Sequence, residues 1–481
     1  MLVRTLGVLV LFRLVATTIQ AENPPPPPPH EDTTNDKQQQ QQQQVFSSQL
    51  FAPSYRIHVQ SPSHFPKPTR KVLMTTTTTI NDDDDPVQVI VKPLFGVHRP
   101  DQDVIFAYAE GYPMEYYAMF LQTLTETGFT GDVVLAIADD TVLLPNVLDY
   151  LITYGQGMTN KPNVIVYQHA LDCKNNGHTN TTSTTNTNTG RMVMRGGVLN
   201  PFQMCQIHHV YGIRNTINII NNNTTTVSNN TMFTPVKDPR QGRVVATIRY
   251  EWYWMWSLQY NPHSWIMLLD ARDSYFQSNP FVDLPRHNNN DNNNNSTMTD
   301  GGLLYLFGEN ADATRLGKSR KNMKWIRNGY GEAVLQALKD KPTICSGSTM
   351  GEQVAIETYL RAMVNEHDEC NIRMAGSDQG FHNYLYYSRK LSNAATIRKI
   401  VVWEQGKGII NNLGALRTKP FKDWGIYDPK EHKVYQWDKK TLSPVVHQWD
   451  RDGELHGWMT RVKHNQWKAE WEEQHTNKKQ A

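Results

Sequence analysis

Cysteine is scarce in this chain. Its 481 residues hold only four, Cys173, Cys205, Cys345 and Cys370. None belongs to a C-x-x-C pair, which argues against a zinc ribbon. A surplus of one charge is also missing. Lys and Arg number 48 and Asp and Glu 46, for a formal net charge of +2. A general nucleic-acid binder would carry a basic excess on one face. After the N-terminal segment no apolar run is long enough to cross a bilayer. Gly351 lies in no Gly-x-x-x-x-Gly-Lys phosphate loop and reads as a helix-start residue. Hydrophobic residues make up 38%, a low share for a globular chain. The deficit is local, because long polar tracts dilute a core-forming region of ordinary texture.

The N-terminus has the form of a targeting segment. Arg4 supplies a positive n-region, Leu6 to Ala16 is mostly apolar, and Ile19-Gln20-Ala21 resembles a cleavage site. Residues 1–21 therefore read as a signal peptide or a short signal anchor, the membrane being met only there. Either form places the remainder in the secretory pathway, with the Golgi lumen expected and the endoplasmic reticulum or secretion as alternatives. In that oxidising setting an even cysteine count suggests two disulfides. Pairing of sequence neighbours, Cys345 with Cys370 and Cys173 with Cys205, is the simplest of three arrangements. Residues 22–98 read as a disordered low-complexity stem. Polyproline at Pro24 to Pro29, polyglutamine at Gln38 to Gln44, polythreonine at Thr75 to Thr79 and the acidic run Asp82 to Asp85 bury too little apolar surface to offset ordering entropy.

The texture changes after Asp103. Apolar strands are expected at 104–109, 133–138, 164–167, 265–269, 302–307 and 400–403. Helical spacing is expected at 116–127, 146–154, 249–260, 322–338, 351–366 and 378–389. Strands alternating with helices imply β-α-β units, hence an α/β fold with a mainly parallel sheet flanked by helices. The expected domain covers 99–462. The stretch from Gly425 to His447 alternates like a hairpin, and residues 463–481 read as a loose polar tail. Three Asn- and Thr-rich insertions, near 175–190, 216–232 and 287–299, carry glycosylation triplets at Asn180, Asn222, Asn223, Asn229, Asn294 and Asn295.

The chemistry concentrates where the apolar strand Trp265 to Leu269 ends in Asp270-Ala271-Arg272-Asp273, followed by Ser274-Tyr275-Phe276-Gln277-Ser278-Asn279-Pro280-Phe281. Open parallel sheets bind ligands at the carboxyl ends of their strands. Two carboxylates delivered there can hold a divalent cation, which in turn binds phosphate. The bland reading, a capped turn paired with Arg272, would win for an isolated D-x-x-D. The apolar strand before it and the aromatic, Asn-Pro-containing sequence after it favour the site.

The strand, acidic cluster and x-N-P-F tail resemble GT-A-type nucleotide-sugar glycosyltransferases, in which a DxD-like motif follows a central strand. Asp273 matches the second Asp of that pattern, and Asp270 falls one residue early. Gly376-Ser377-Asp378-Gln379-Gly380-Phe381-His382-Asn383 resembles a D-Q-x-x-x-N segment near donor sugar and acceptor. Val445-Val446-His447-Gln448-Trp449-Asp450-Arg451 resembles a C-terminal element that gives a histidine to the metal. Cys345 to Gly351 resembles the turn before an acceptor-side helix. The resemblance spans about residues 103–452. It implies a GT-A (Rossmann-like) fold and transfer of a sugar from a nucleotide-diphosphate donor to a glycan or glycoconjugate acceptor. Mn²⁺ or Mg²⁺ would be held by Asp270, Asp273 and His447, a mixed oxygen and imidazole set that leans to manganese. Asp270 would meet the donor, Arg272 would contact donor phosphate or brace the carboxylates, and Asp378 and Gln379 would orient donor sugar or acceptor. Two other classes fit parts of the pattern: a glycan-binding protein that has lost catalysis on such a fold, and a hydrolase using Asp270 and Asp378 as paired carboxylates.

Overall fold

The computed structural model describes residues 93–480 apart from 110, 139–142, 156–159, 170, 175–203, 208–210, 217–230, 236–241, 287–300, 371–373 and 375, together with a strand at Val87–Val89. The targeting segment, most of the stem and the acceptor asparagines of all six glycosylation triplets lie outside the described residues.

The centre is a seven-stranded sheet flanked by helices. In chain order its strands are β1 (Val104–Tyr108), β2 (Asp132–Ala138), β3 (Asn163–His169), β4 (Trp265–Leu269), β6 (Gly302–Gly308), β7 (Ile344–Glu352) and β8 (Ile397–Trp403), with β5 (Ser274–Phe276) standing apart in a smaller sheet. The spatial order is β8-β6-β7-β4-β1-β2-β3. Neighbours run parallel except at β7, which is antiparallel to both β4 and β6. Strands such as Val104-Ile105-Phe106 and Trp265-Ile266-Met267-Leu268-Leu269 are wholly apolar because helices cover both faces of the sheet. The helices that matter below are α1 (Met114–Glu126), α2 (Val147–Gly155), α3 (Val245–Ser257), α4 (Arg320–Leu338), α5 (Gln353–Cys370), α6 (Ser377–Tyr387) and α7 (His464–Gln480). The aromatic run in α3 belongs to the core: Trp252, Tyr253, Trp254 and Trp256 are all buried.

The second sheet brings three distant segments together. Strand β5 pairs antiparallel with β10 (Val445–His447), which pairs parallel with β9 (Ile410–Asn412). Ser274 and Asn412 therefore both stand opposite His447. Sequence after Asp273 clamps this sheet onto α1. Phe276 stacks edge-on against Phe120, and Phe281 lies flat against Phe129, with ring centroids 5.1 and 5.0 Å apart. Gln277 donates to Val434 O and Ser443 O and accepts from Val434 N.

Several sequence expectations need correction. Cys345 to Gly351 is not a turn but most of β7, and Gly351 starts no helix. All nine residues of β7 are buried although few are strongly apolar, so nothing in its composition marks a central strand. The alternating stretch from Gly425 forms a two-residue pair, Tyr427–Asp428 with Lys433–Val434, and a single bridge between Tyr435 and Leu442, and Val445–His447 joins the second sheet instead. The expected Cys345–Cys370 disulfide is absent, since both thiols are free and buried. Cys345 lies in β7 with Sγ 3.9 Å from His447 Nδ1. Cys370 ends α5 beside Tyr330 and Glu366, and burial pushes its thiol pKa up to about 12. The two thiols have different surroundings, one beside His447 and the other beside Tyr330 and Glu366. Cys205, by contrast, is disulfide-bonded, and its opposite residue in the antiparallel strand pair is Cys173.

Both edges of the expected domain also move. Residues 464–480 form a helix rather than a loose tail. Its Trp467 is buried in the main core, and Lys468 approaches Glu115 on α1. Two tryptophans four residues apart, Trp467 and Trp471, give this otherwise polar helix one apolar stripe. At the other end the stem closes onto the domain before Arg99. Leu94 N donates to Val166 O, and Phe95 packs against the core. His98 bridges Tyr260 and Tyr167 hydroxyls at 2.9 and 2.7 Å. A chain beginning at Arg99 should accordingly be less stable than one beginning at Pro86, by about 2–3 kcal/mol from lost packing of Phe95 and His98. Urea denaturation of the two truncated chains checks this, and equal midpoints would return the boundary to residue 99.

Candidate metal centre

The carboxyl edge of the sheet collects the candidate residues. Asp270 directly follows β4, and its N–H still pairs with Gly347 O at 3.2 Å. Because β7 runs the opposite way, its first residues, Cys345, Ser346 and Gly347, arrive at this same edge. Three residues after Asp270, Asp273 directly precedes β5, and the β5–β10 register sets His447 beside it. Asp270, Asp273 and His447 offer ligand atoms that all lie within 4.8 Å of one another. His447 Nε2 is 3.5 Å from Asp273 Oδ1 and 3.9 Å from Asp270 Oδ2. Ligand atoms about 2.1 Å from one octahedral ion are about 3.0 Å apart when cis and about 4.2 Å when trans, so this triad could bind a metal ion with small adjustments.

Two observations test that fit. The first is the histidine's orientation. Asn412 donates its amide to Phe307 O and Gly308 O, leaving Oδ1 to accept from Ser348 Oγ and from His447 Nδ1, the latter at 2.7 Å. Nδ1 thus carries hydrogen, and Nε2 is the atom facing the carboxylates. It is buried with no hydrogen-bond partner. A second residue that fixes the tautomer of an imidazole is what metal-binding histidines require. The second observation is space. A Cβ added to Gly347 would stand 2.7 Å from Asp270 Oδ2 and 2.8 Å from His447 Cε1. The missing side chain leaves room between two of the three ligands.

Electrostatics favour positive charge here. Burial pushes the Asp273 carboxyl up, but His447, Arg272 and Arg451 outweigh it and hold it below the usual carboxylate range. Burial lowers the His447 pKa, but the nearby Asp273 carboxylate and Cys345 outweigh it and raise it well above the ordinary value. A proton or a cation satisfies the same cluster. Arg272 lies 3.3 Å from Asp273 and 3.5 Å from Asp450, and Arg451 lies 3.6 Å from Asp273. These arginines brace the carboxylate from outside the triad.

Asp378 and Gln379 sit at the start of α6 and differ in role. Asp378 Oδ2 accepts from Arg249 Nη2 at 2.8 Å, from Ser346 Oγ at 3.0 Å and from Tyr250 OH at 3.4 Å. Gln379 uses both ends of its amide on β7: Oε1 accepts from Ser346 N and Nε2 donates to Ile344 O, each at 2.7 Å. Asn383 makes a similar pair with Ile344. The D-Q-x-x-x-N segment therefore locks α6 to β7, with Asp378 the member held in the polar cluster. Arg249, missed from sequence, joins the parts, since its other guanidinium nitrogen donates to Asp270. It fills the space between Asp270 and Asp378 that a paired-carboxylate hydrolase would need for its scissile bond. Its one sequence signal was a charge between Ile248 and Tyr250 in an aromatic helix. Asn412 had no signal at all.

Asp270 and His447 of the triad line a cleft of about 630 Å³. Arg249, Lys318, Lys321, Arg417 and Arg451 are among its lining residues, against the acidic Asp270, Glu309 and Asp378. Cations thus gather beside a potential metal position. The chain matches no known protein family, and it matches no characterised protein by sequence.

Proposed function

We propose that this chain is a metal-dependent GT-A-type glycosyltransferase that moves a sugar from a nucleotide-diphosphate donor to a glycan, glycoprotein or glycolipid acceptor in the secretory pathway. The observation that carries the reading is the Asp270–Asp273–His447 triad, with His447 Nε2 lacking a hydrogen-bond partner, at the carboxyl edge of a mostly parallel sheet, with Asp270 and His447 lining a cation-rich cleft. The order of motifs along the chain supports the same reading. Its secretory location rests on the N-terminal segment.

Asp273 and His447 are held by second residues and would be the firmest ligands of Mn²⁺ or Mg²⁺. Asp270, about a third exposed and tied to Arg249, would complete the set on the donor side. When bound, the ion supplies Lewis-acid charge to a departing diphosphate. Lys318, Lys321, Arg417 and Arg451 would bind the remaining phosphate oxygens as fixed positive charge. Asp378 would accept a hydroxyl of donor sugar or acceptor. Gln379 would position it by keeping α6 on β7.

The test is a panel of nucleotide sugars incubated with the full chain and Mn²⁺, reading free nucleotide. Metal-dependent release from one donor is expected, with loss on chelation. Manganese binding without turnover of any donor would favour a glycan-binding protein on this fold. Turnover of a glycan unaffected by chelation would favour a hydrolase.

A further inference from the structure

A second cleft of about 880 Å³ opens at the carboxyl ends of β6 and β8, on a scale usual for small-ligand sites. Its lining includes five aromatic side chains, Tyr386, Tyr387, Trp403, Trp424 and Trp437. They are all partly exposed rather than sealed in the core. Trp437 donates its indole N–H to Gln405, which is itself bonded to Asn310 and Asn411. Trp424 and Trp437 meet edge to face, with centroids 6.3 Å apart. The loop after β8 approaches two of these rings through glycines: a Cβ at Gly406 or Gly408 would come within 2.7 Å of Trp437 or Trp403, respectively. The indole N–H of Trp403 has no acceptor among the described residues.

Between the rings stand Glu309, Asp312, Glu404, Lys341 and Lys407, so neither sign of charge dominates. Phosphorylated ligands therefore have little to hold them. Flat aromatic faces interspersed with carboxylates and carboxamides match a sugar, whose ring has apolar C–H faces and a rim of hydroxyls. Glu309 lines this cleft and the metal cleft alike. It directly follows β6, and among the described residues its carboxylate makes no hydrogen bond or ion pair. One carboxylate thus marks the boundary where the two clefts meet.

We infer that the aromatic cleft binds a saccharide chain and that Glu309 accepts a hydrogen bond from a hydroxyl of that chain at the junction with the metal cleft. The inference deepens the transferase reading by assigning the acceptor side to a saccharide. It does not need metal or nucleotide for its test.

The full chain, without metal or nucleotide, is titrated with three free tetrasaccharides: β1,4-linked glucose, β1,4-linked N-acetylglucosamine and α1,2-linked mannose. Tryptophan fluorescence and saturation-transfer NMR report binding. At least one should bind. Trp403→Ala should weaken it by about tenfold or more, whereas Trp403→Phe keeps a ring and should stay within about threefold. Since Trp403 also contacts Tyr305 in the core, Tyr386, which lines the cleft from α6, provides a second variant, Tyr386→Ala, with thermal unfolding as the control for both. Glu309→Gln should weaken binding by a few fold. Failure of all three tetrasaccharides to bind would overturn the inference, as would unchanged binding in folded Trp403→Ala and Tyr386→Ala. Binding of a synthetic hexaproline peptide in their place would also overturn it, by making the cleft a peptide groove. Manganese-dependent nucleotide release from the same preparations reads the metal centre separately, so either reading can fail alone.

Discussion

Asp273→Asn should abolish manganese-dependent donor turnover, with a loss of about a hundred- to thousandfold, or about 3–4 kcal/mol. Asn is nearly the same shape, so the loss is one of charge. Asp273 is buried, within 3.5 Å of His447 Nε2 and close to Arg272 and Arg451. A carboxylate at an exposed sheet edge would matter little to folding, but Asp273 is buried among cations. Removing the carboxylate leaves positive groups facing one another, so the metal-free protein should also lose about 2–3 kcal/mol of stability. Asp270→Asn should have a smaller effect on both measures, because Asp270 is more exposed and already paired with Arg249. His447→Ala should weaken manganese affinity more than it alters folding. Nucleotide release and manganese titration, with thermal unfolding of the metal-free variants, separate these effects. Near-parent turnover by folded Asp273→Asn would remove the metal assignment and favour the glycan-binding reading.

Gly347→Ala should be nearly as damaging while changing no ligand. The added methyl would enter the gap between Asp270 and His447, at 2.7 and 2.8 Å from their atoms. His447 is buried and held by Asn412, so the partly exposed Asp270 side chain is the one free to swing aside. The fold should survive, and manganese affinity should fall by about a hundredfold as one ligand is displaced. Isothermal titration with manganese measures this, and far-ultraviolet circular dichroism checks the fold. Parent-like affinity in Gly347→Ala would mean that the ion, if any, sits elsewhere.

Much of the sheet was legible because its signals are local. Wholly apolar segments such as Val104 to Tyr108 and Trp265 to Leu269 can be satisfied only inside a covered sheet, and the alternation of strands with helices implies parallel neighbours. Asp270 and Asp273 were legible for the same reason, since a buried strand must end and release its next residues at the edge. His447 was legible only as one residue in a resembling order of motifs. Trp467 and Trp471, by contrast, were diluted by a polar helix, and their burial depended on the surface of α1.

The sequence by itself determined the α/β class, the placement of Asp270 and Asp273 at a strand end, and the apolar texture of the core, because each follows from short-range burial and chain periodicity. Only the tertiary structure decided that Ile344–Glu352 is a central antiparallel strand, that Cys345 and Cys370 stay apart, and that Arg249, Gly347 and Asn412 meet His447 and the carboxylates. These depend on contacts between residues tens to nearly two hundred positions apart. The polar side chains of β7 become compatible with burial only when partners such as Asn412 and Asp378 arrive from other segments to bond them.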